Sequence, residues 1–227
     1  MVDMPYIASE QDSQLKKLGL NFGFAGKTDF VPKVLLTKQI HSKKIVQADS
    51  LGFGVIEADG IFTQAKGVAI GVKTADCLPI IIVNKDLDFL LAVHAGWRGL
   101  CQGIVAEGVA IYQGLGLSSP LMAIIGPAIC AACYEVGPDV ALALEGQDLG
   151  LSKDQAKACL QQRPEALEKW FADLKKAAFF QLLNLGFKLQ DIEVLHACSY
   201  EDASRWFSYR RDRVVSPSTS IISWASL

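Results

Sequence analysis

Apolar residues along this chain fall into short runs separated by polar and turn-forming positions. Runs at 34–41 (VLLTKQIH), 67–74 (GVAIGVKT), 78–83 (LPIIIV), 89–94 (FLLAVH), 121–125, 191–196 (DIEVLH) and 219–224 are rich in β-branched residues. Turn-forming flanks bound them, which predicts strands. Ile104, Val105, Val109 and Tyr112 recur at helical spacing and predict a helix over about 100–114. A second helix is expected over about 165–185, ended by Gly186. Strands and helices alternate without repeat, heptad or linker, so residues 1–227 read as a single α/β (α+β) domain. Layered mixed β-sheets flanked by helices follow from that pattern.

One hairpin organises the chemistry. LPIIIV and FLLAVH are joined by the short polar turn NKDLD, which predicts an antiparallel pair. Cys77 precedes the first strand and His94 ends the second, so both fall at the same end, close to opposite one another. Cross-strand neighbours have Cβ atoms about 4.5–5.5 Å apart, a spacing that suits two ligands of one metal ion. A register slip of one residue turns one of them to the other face.

Composition narrows the class. With 227 residues, 51% hydrophobic and 20% charged, the chain is long enough to bury roughly three quarters of its unfolded surface. Net charge is −2 and the basic residues are scattered apart from SYRRDR at 208–213, which points away from nucleic acid. The N-terminus lacks the features of a secretory signal and the apolar runs are too short to cross a bilayer. A cytoplasmic protein without a membrane partner is expected, either monomer or homodimer. The six cysteines, at 77, 101, 130, 133, 159 and 198, are then read as reduced thiols, most of them packing residues.

The histidines number three: His41, His94 and His196. His41 and His94 both end apolar runs, and Cys77 lies in TADCLP. Two imidazoles and a thiolate leave a tetrahedral zinc with one open position, as in catalytic sites. Equally, His94 and Cys77 read as core residues and His41 as a surface residue, because their separations match no compact zinc signature. Cys130 and Cys133 form a C-x-x-C pair, which reads best as a coincidence near a turn because no second such pair completes a zinc ribbon. Arg98, Arg210 and Arg211 are candidates for anion recognition through guanidinium forks, and each also reads as a solvated surface arginine. Arg98 lies in a glycine-flanked turn before a predicted helix, with Trp97 beside it as an apolar wall. Asp76 is placed to orient a ligand imidazole or take a proton, and Asp59, in EADGIF, reads also as a turn residue. Motifs of serine hydrolases, P-loop enzymes, zincins and cytidine deaminases are absent.

LTKQIHS, EADGIFT, VKTADCLPIII, VHAGWRGL, IGPAI followed by CYEVG, and WFSYRRD occur in one order along residues 34–213. In this the chain resembles the laccase-domain (YfiH-like) family, whose members are labelled multicopper polyphenol oxidases and also described as zinc-dependent purine nucleoside phosphorylases. The resemblance implies metal ligation by His41, Cys77 and His94. It also implies phosphorolysis of adenosine, inosine, guanosine and S-methyl-5'-thioadenosine, with adenosine deamination as a second activity. The implied fold is one layered α/β domain, grouped with cysteine hydrolases. Cys77, Asp76 and Arg98 are then the catalytic candidates, and Trp97, Arg98, Arg210 and Arg211 the contacts for nucleoside and phosphate. Zinc is the expected metal, with copper as the competing ion. Two departures mark the chain: a short NFGFAGKTDF where the family carries a longer Gly- and Asn-rich segment, and RVVSPSTS where it shows a Gly-Arg pair. Rival functions are a cysteine hydrolase acting on a peptidoglycan-type amide, a copper-dependent polyphenol oxidase and a non-catalytic zinc-binding module.

Overall fold

The computed structural model describes residues 3–50, 56–146, 149–214 and 220–227. Among these residues the strands build three sheets. The largest runs in the order β1 (Tyr6–Ile7), β12 (Ile192–Leu195), β8 (Leu121–Ile125), β6 (Leu78–Asn84), β7 (Leu90–Ala95), β4 (Gly60–Thr63), β3 (Ile45–Gln47). Its centre is antiparallel and its two flanks are parallel pairs, so the mixed sheet is as expected.

The central strands are apolar on both faces because both are covered. Ile80, Ile82, Leu91 and Val93 enter a core completed by Val105 and Val109 of α3 (Ile104–Gly114) and Phe179 of α6 (Leu174–Asn184). Ile81, Val83, Leu90 and Ala92 point the other way, onto the antiparallel sheet β2 (Asn21–Ala25), β13 (Ile221–Ser226), β5 (Ala69–Thr74). Each of these Val, Leu and Ile side chains contributes about 1.5–3 kcal/mol on burial, so the β6–β7 hairpin is a rigid base for whatever stands at its end. The remaining helices are α1 (Gln14–Leu18), α2 (Trp97–Cys101), α4 (Pro138–Glu145), α5 (Lys153–Ala158) and α7 (Tyr209–Asp212).

Three expectations are corrected. The helix over 165–185 is α6 alone. Residues before it form β10 (Leu160–Arg163) and β11 (Ala166–Ala172), which pair with each other and with β9 (Glu135–Val136). The helix-favouring ALEK is overridden by that pairing, and α6 begins only at Asp173, whose carboxylate caps the Lys176 N–H at 2.9 Å. The helix over 100–114 divides into α2 and α3 because Gly103 adopts φ 81° between them. Residues 34–41 form no strand. They lie as an extended strap bridged at Leu35 to Ile70 and at Lys38 to Glu57, and the Gln39 amide is pinned to the Lys73 backbone at 2.7 and 2.8 Å. The first residue of the expected strand 219–224, like most of RVVSPSTS, lies outside the described residues.

Candidate metal centre

The hairpin register places Pro79 opposite His94 and Leu78 opposite Ala95. Cys77 therefore lies diagonal to His94, two positions along from Pro79 on the same face, at the shared end of the hairpin. The strap brings in His41, whose ring meets that of His94 edge-on with centroids 4.9 Å apart. His41, Cys77 and His94 each present a ligand atom, and these atoms lie within 4.8 Å of one another.

Asp59 assembles this cluster. It is fully buried just before β4, and its carboxylate accepts His94 Nδ1–H at 2.8 Å. The same carboxylate accepts the backbone N–H groups of Ile40, His41 and Ser42 at 3.3, 2.9 and 2.7 Å, and the Ser42 hydroxyl at 2.8 Å. That nest holds His41 at φ 60°, a left-handed conformation costing a β-carbon residue about 1–2 kcal/mol. With Nδ1 engaged, His94 keeps Nε2 for a metal, the arrangement in which an outer carboxylate fixes the tautomer of a ligand imidazole. The orienting role that the sequence offered to Asp76 thus falls to Asp59. Asp76, at φ 89°, accepts the Ser199 hydroxyl and the Arg210 backbone N–H, each at 2.6 Å.

Electrostatics match the geometry. Burial pushes the Cys77 thiol up, but hydrogen bonds and charge from His41 and His94 outweigh it and bring the thiol down to about 6. Burial opposes charge on His94, yet Asp59 and Cys77 raise its imidazolium to about 9. Burial likewise raises Asp59, and the bonds from His94 and Ser42 prevail, leaving it at about 2.

The donor set fits one tetrahedral ion. Ligand bonds of about 2.0–2.3 Å place neighbouring donors about 3.3–3.8 Å apart, within the observed envelope. Gly96 supplies the room: a Cβ there would lie 3.0 Å from Cys77 Sγ and 3.1 Å from His41 Cδ2. A residue with a side chain at 96 would press into both ligands.

The three donors open onto a cleft of about 860 Å³, lined also by Lys38, Gln39, Lys73, Thr74, Tyr209 and Ser220. Thr74 Oγ1 is buried there without a protein partner among the described residues. Sequence reading missed Lys73, Thr74 and Tyr209, whose proximity depends on β5 and α7 meeting the strap. Trp97 and Arg98 do not line this cleft. They face a neighbouring hollow of about 850 Å³ with Lys43 and Leu142, the Arg98 guanidinium stacked 4.2 Å over the Trp97 ring. Arg210 donates to the Glu135 carbonyl at 2.8 Å. Arg211 is a strut: it donates to the carbonyls of Ser199, Tyr200 and Trp206 at 2.8–2.9 Å and forks onto Asp212. His196 stands apart, edge-on to Tyr6.

A layered mixed sheet with a His-Cys-His cluster at the end of its central hairpin defines a laccase-domain protein. A family model described as multi-copper polyphenol oxidoreductase laccase matches residues 22–224, and the chain belongs to that family. It is 32% identical to the purine nucleoside phosphorylase YfiH of Shigella flexneri over 190 residues, covering 84% of this chain and 73% of the relative. The purine nucleoside phosphorylase of Aquifex aeolicus is 33% identical over 190 residues, with 84% and 80% covered. Among solved structures, the hypothetical protein YfiH of Bacillus licheniformis superposes with TM-score 0.75 at 26% identity, covering 86% of this chain and 74% of that one. YlmD of Geobacillus stearothermophilus gives 0.72 at 27% identity, with 85% and 73% covered.

Proposed function

We propose that this chain is a zinc-dependent purine nucleoside phosphorylase. In this reading it cleaves adenosine, inosine, guanosine and S-methyl-5'-thioadenosine with phosphate to the base and the (methylthio)ribose 1-phosphate, and deaminates adenosine as a second activity. The observation that carries the reading is the three-donor cluster with its open side on a cleft of about 860 Å³, a volume that suits a nucleoside. The names of the relatives supply the substrate class.

His41, Cys77 and His94 would hold the ion, which would supply Lewis acidity there. In phosphorolysis an oxygen of hydrogen phosphate bonds to the anomeric carbon as the glycosidic bond to the purine nitrogen breaks, and the phosphate's proton passes to the leaving purine. Lys73 lines the cleft and offsets the phosphate charge, beside Lys38, which is paired with Glu57 at 2.8 Å. Tyr209 offers a ring face to the purine. Asp76, committed to Ser199 and Arg210, holds the turn that presents Cys77.

Oxidase chemistry of the multicopper kind needs a blue-copper site and a cluster of many further imidazoles. Three histidines in the whole chain, one of them turned to Tyr6, leave too few donors.

Incubation of metal-defined protein with adenosine and phosphate should yield adenine and ribose 1-phosphate on chromatography, with some inosine. If none forms, and Cys77→Ala binds zinc as well as the parent chain, the reading is wrong. A second reading rests on the Cys77, His94, Asp59 line, which is also the order of a thiol-protease-like triad. Amide hydrolysis that survives full zinc removal and is abolished by iodoacetamide would select it.

A further inference from the structure

We propose that Cys130, Cys133, Cys198 and Glu201 form a second, structural metal site for zinc, outside the cleft. One ligand atom from each of the four lies within 4.8 Å of the others. The strands explain why residues so far apart in sequence meet. β8 and β12 are adjacent and parallel, and beyond their C-terminal ends the chains stay bridged at Ala128 and Cys198.

Each chain then turns within three residues. One turn carries Cys-Ala-Ala-Cys, closed by the Cys133 N–H on the Cys130 carbonyl at 3.1 Å. The other carries Cys-Ser-Tyr-Glu. The Cys130 N–H donates to Cys198 Sγ at 3.3 Å, and Cys133 Sγ donates to Glu201 at 3.5 Å.

Two turns with donors three residues apart, facing each other, make the plan of a structural zinc site. The C-x-x-C pair looked incomplete in sequence because its counterpart is C-x-x-E. Four protein donors close a tetrahedral shell, whereas the cleft cluster has three and an opening. The first is thereby a structural centre and the second a catalytic one.

Charge supports the assignment. Three thiolates and a carboxylate around a divalent ion leave net negative charge. Lys175, buried at 5% exposure, lines the same hollow with Cys130 and Cys198. Its ammonium donates to the Leu195 and Ala197 carbonyls at 3.0 and 2.7 Å, and no carboxylate pairs with it among the described residues. A buried cation without a direct ion pair is costly; Asp173 acts on it only through space, and the occupied site adds negative charge beside it. Binding releases the three thiol protons to solvent and needs no oxidant or reductant.

The site also braces the cleft. Ser199, next to Cys198, donates to Asp76, and the Ile129 N–H, next to Cys130, donates to the Asp76 carbonyl at 3.1 Å. Both loops thus grip the residue that precedes Cys77.

Metal analysis and cobalt spectroscopy on the full chain test the site separately from the cleft. The parent chain should hold two zinc ions, Cys130→Ser with Cys133→Ser one, and Cys77→Ala with His94→Ala one. Cobalt-loaded Cys77→Ala with His94→Ala should keep intense thiolate-to-cobalt charge-transfer bands and tetrahedral d–d bands. If that variant holds no ion, or if non-reducing mass spectrometry of the parent chain finds Cys130 joined to Cys198 as a disulfide, the proposal is overturned. Should the cysteine variants fail to fold, exposed Glu201→Gln replaces them: zinc should then be lost to a competing chelator about tenfold more readily from one of two sites, and unchanged retention overturns the proposal.

Discussion

Asp59 ties the His94 imidazole to the His41 backbone, accepting His94 Nδ1–H at 2.8 Å and the His41 N–H at 2.9 Å. Removing its charge without changing its shape should loosen both ligands together. Asp59→Asn is expected to lower zinc affinity at the cleft by about 10–100-fold, measured by competition with a chromophoric chelator. Unchanged affinity would show that His94 is held by packing alone.

Gly96 is where the ligands need space. Gly96→Ala places a methyl 3.0 Å from Cys77 Sγ, so zinc affinity should fall about tenfold or more, since such sites tolerate displacements of only about 0.5 Å. Thermal unfolding of the metal-free variant should stay close to that of the parent chain, which separates loss of the site from loss of the fold.

Zinc binding at the cleft should strengthen as pH rises. Between about 6 and 9 the metal-free site holds a proton on His94 while Cys77 is already a thiolate. Zinc releases that one proton, so affinity should rise about tenfold per pH unit through this window. Below about 6 the thiol also carries a proton and the dependence steepens. Alkylation of Cys77 by iodoacetamide in metal-stripped protein should show its midpoint near 6, and His94→Ala should move that midpoint upward.

Lys73 lines the cleft of His41, Cys77 and His94, and Arg98 the hollow beside it. Lys73→Ala should raise KM for phosphate about tenfold with zinc content unchanged, and Arg98→Ala should raise it less. The reverse order would return the phosphate to Arg98.

Arg211 acts as a strut through every arm of its guanidinium. Arg211→Ala should cost about 2–4 kcal/mol in chemical denaturation, and Arg211→Lys should recover little of it, because an ammonium cannot reproduce the planar fork.

The hairpin was legible in sequence because strands covered on both faces must be continuously apolar, as LPIIIV and FLLAVH are. The meeting of Cys77 and His94 at its end followed from that hairpin, with Cys77 one diagonal step from His94. Residues 166–172 misled because their propensity is helical and their partners, Val136 and Leu160, lie in other segments. Residues 34–41 were apolar and extended, yet side-chain bonds from Gln39 replace half of a ladder. Asp59 reads as a turn residue until His94, 35 positions later, is seen beside it. Arg98 looked poised at a helix start, but α2 is five residues long and turns its arginine to the next hollow.

The sheet edges set an order of events during synthesis. Tyr6 of β1 pairs with Val194, and Phe24 of β2 with Ser223. A ribosome adding about 5–20 residues per second delivers those partners roughly ten to forty seconds after the N-terminal strands emerge. Through that interval β4, β6 and β7 can pair, while Phe22 and Phe24 wait without the strand that later covers them. Phe22 and Phe24 therefore gain their cover only after β13 has been made, long after the hairpin they pack on can form.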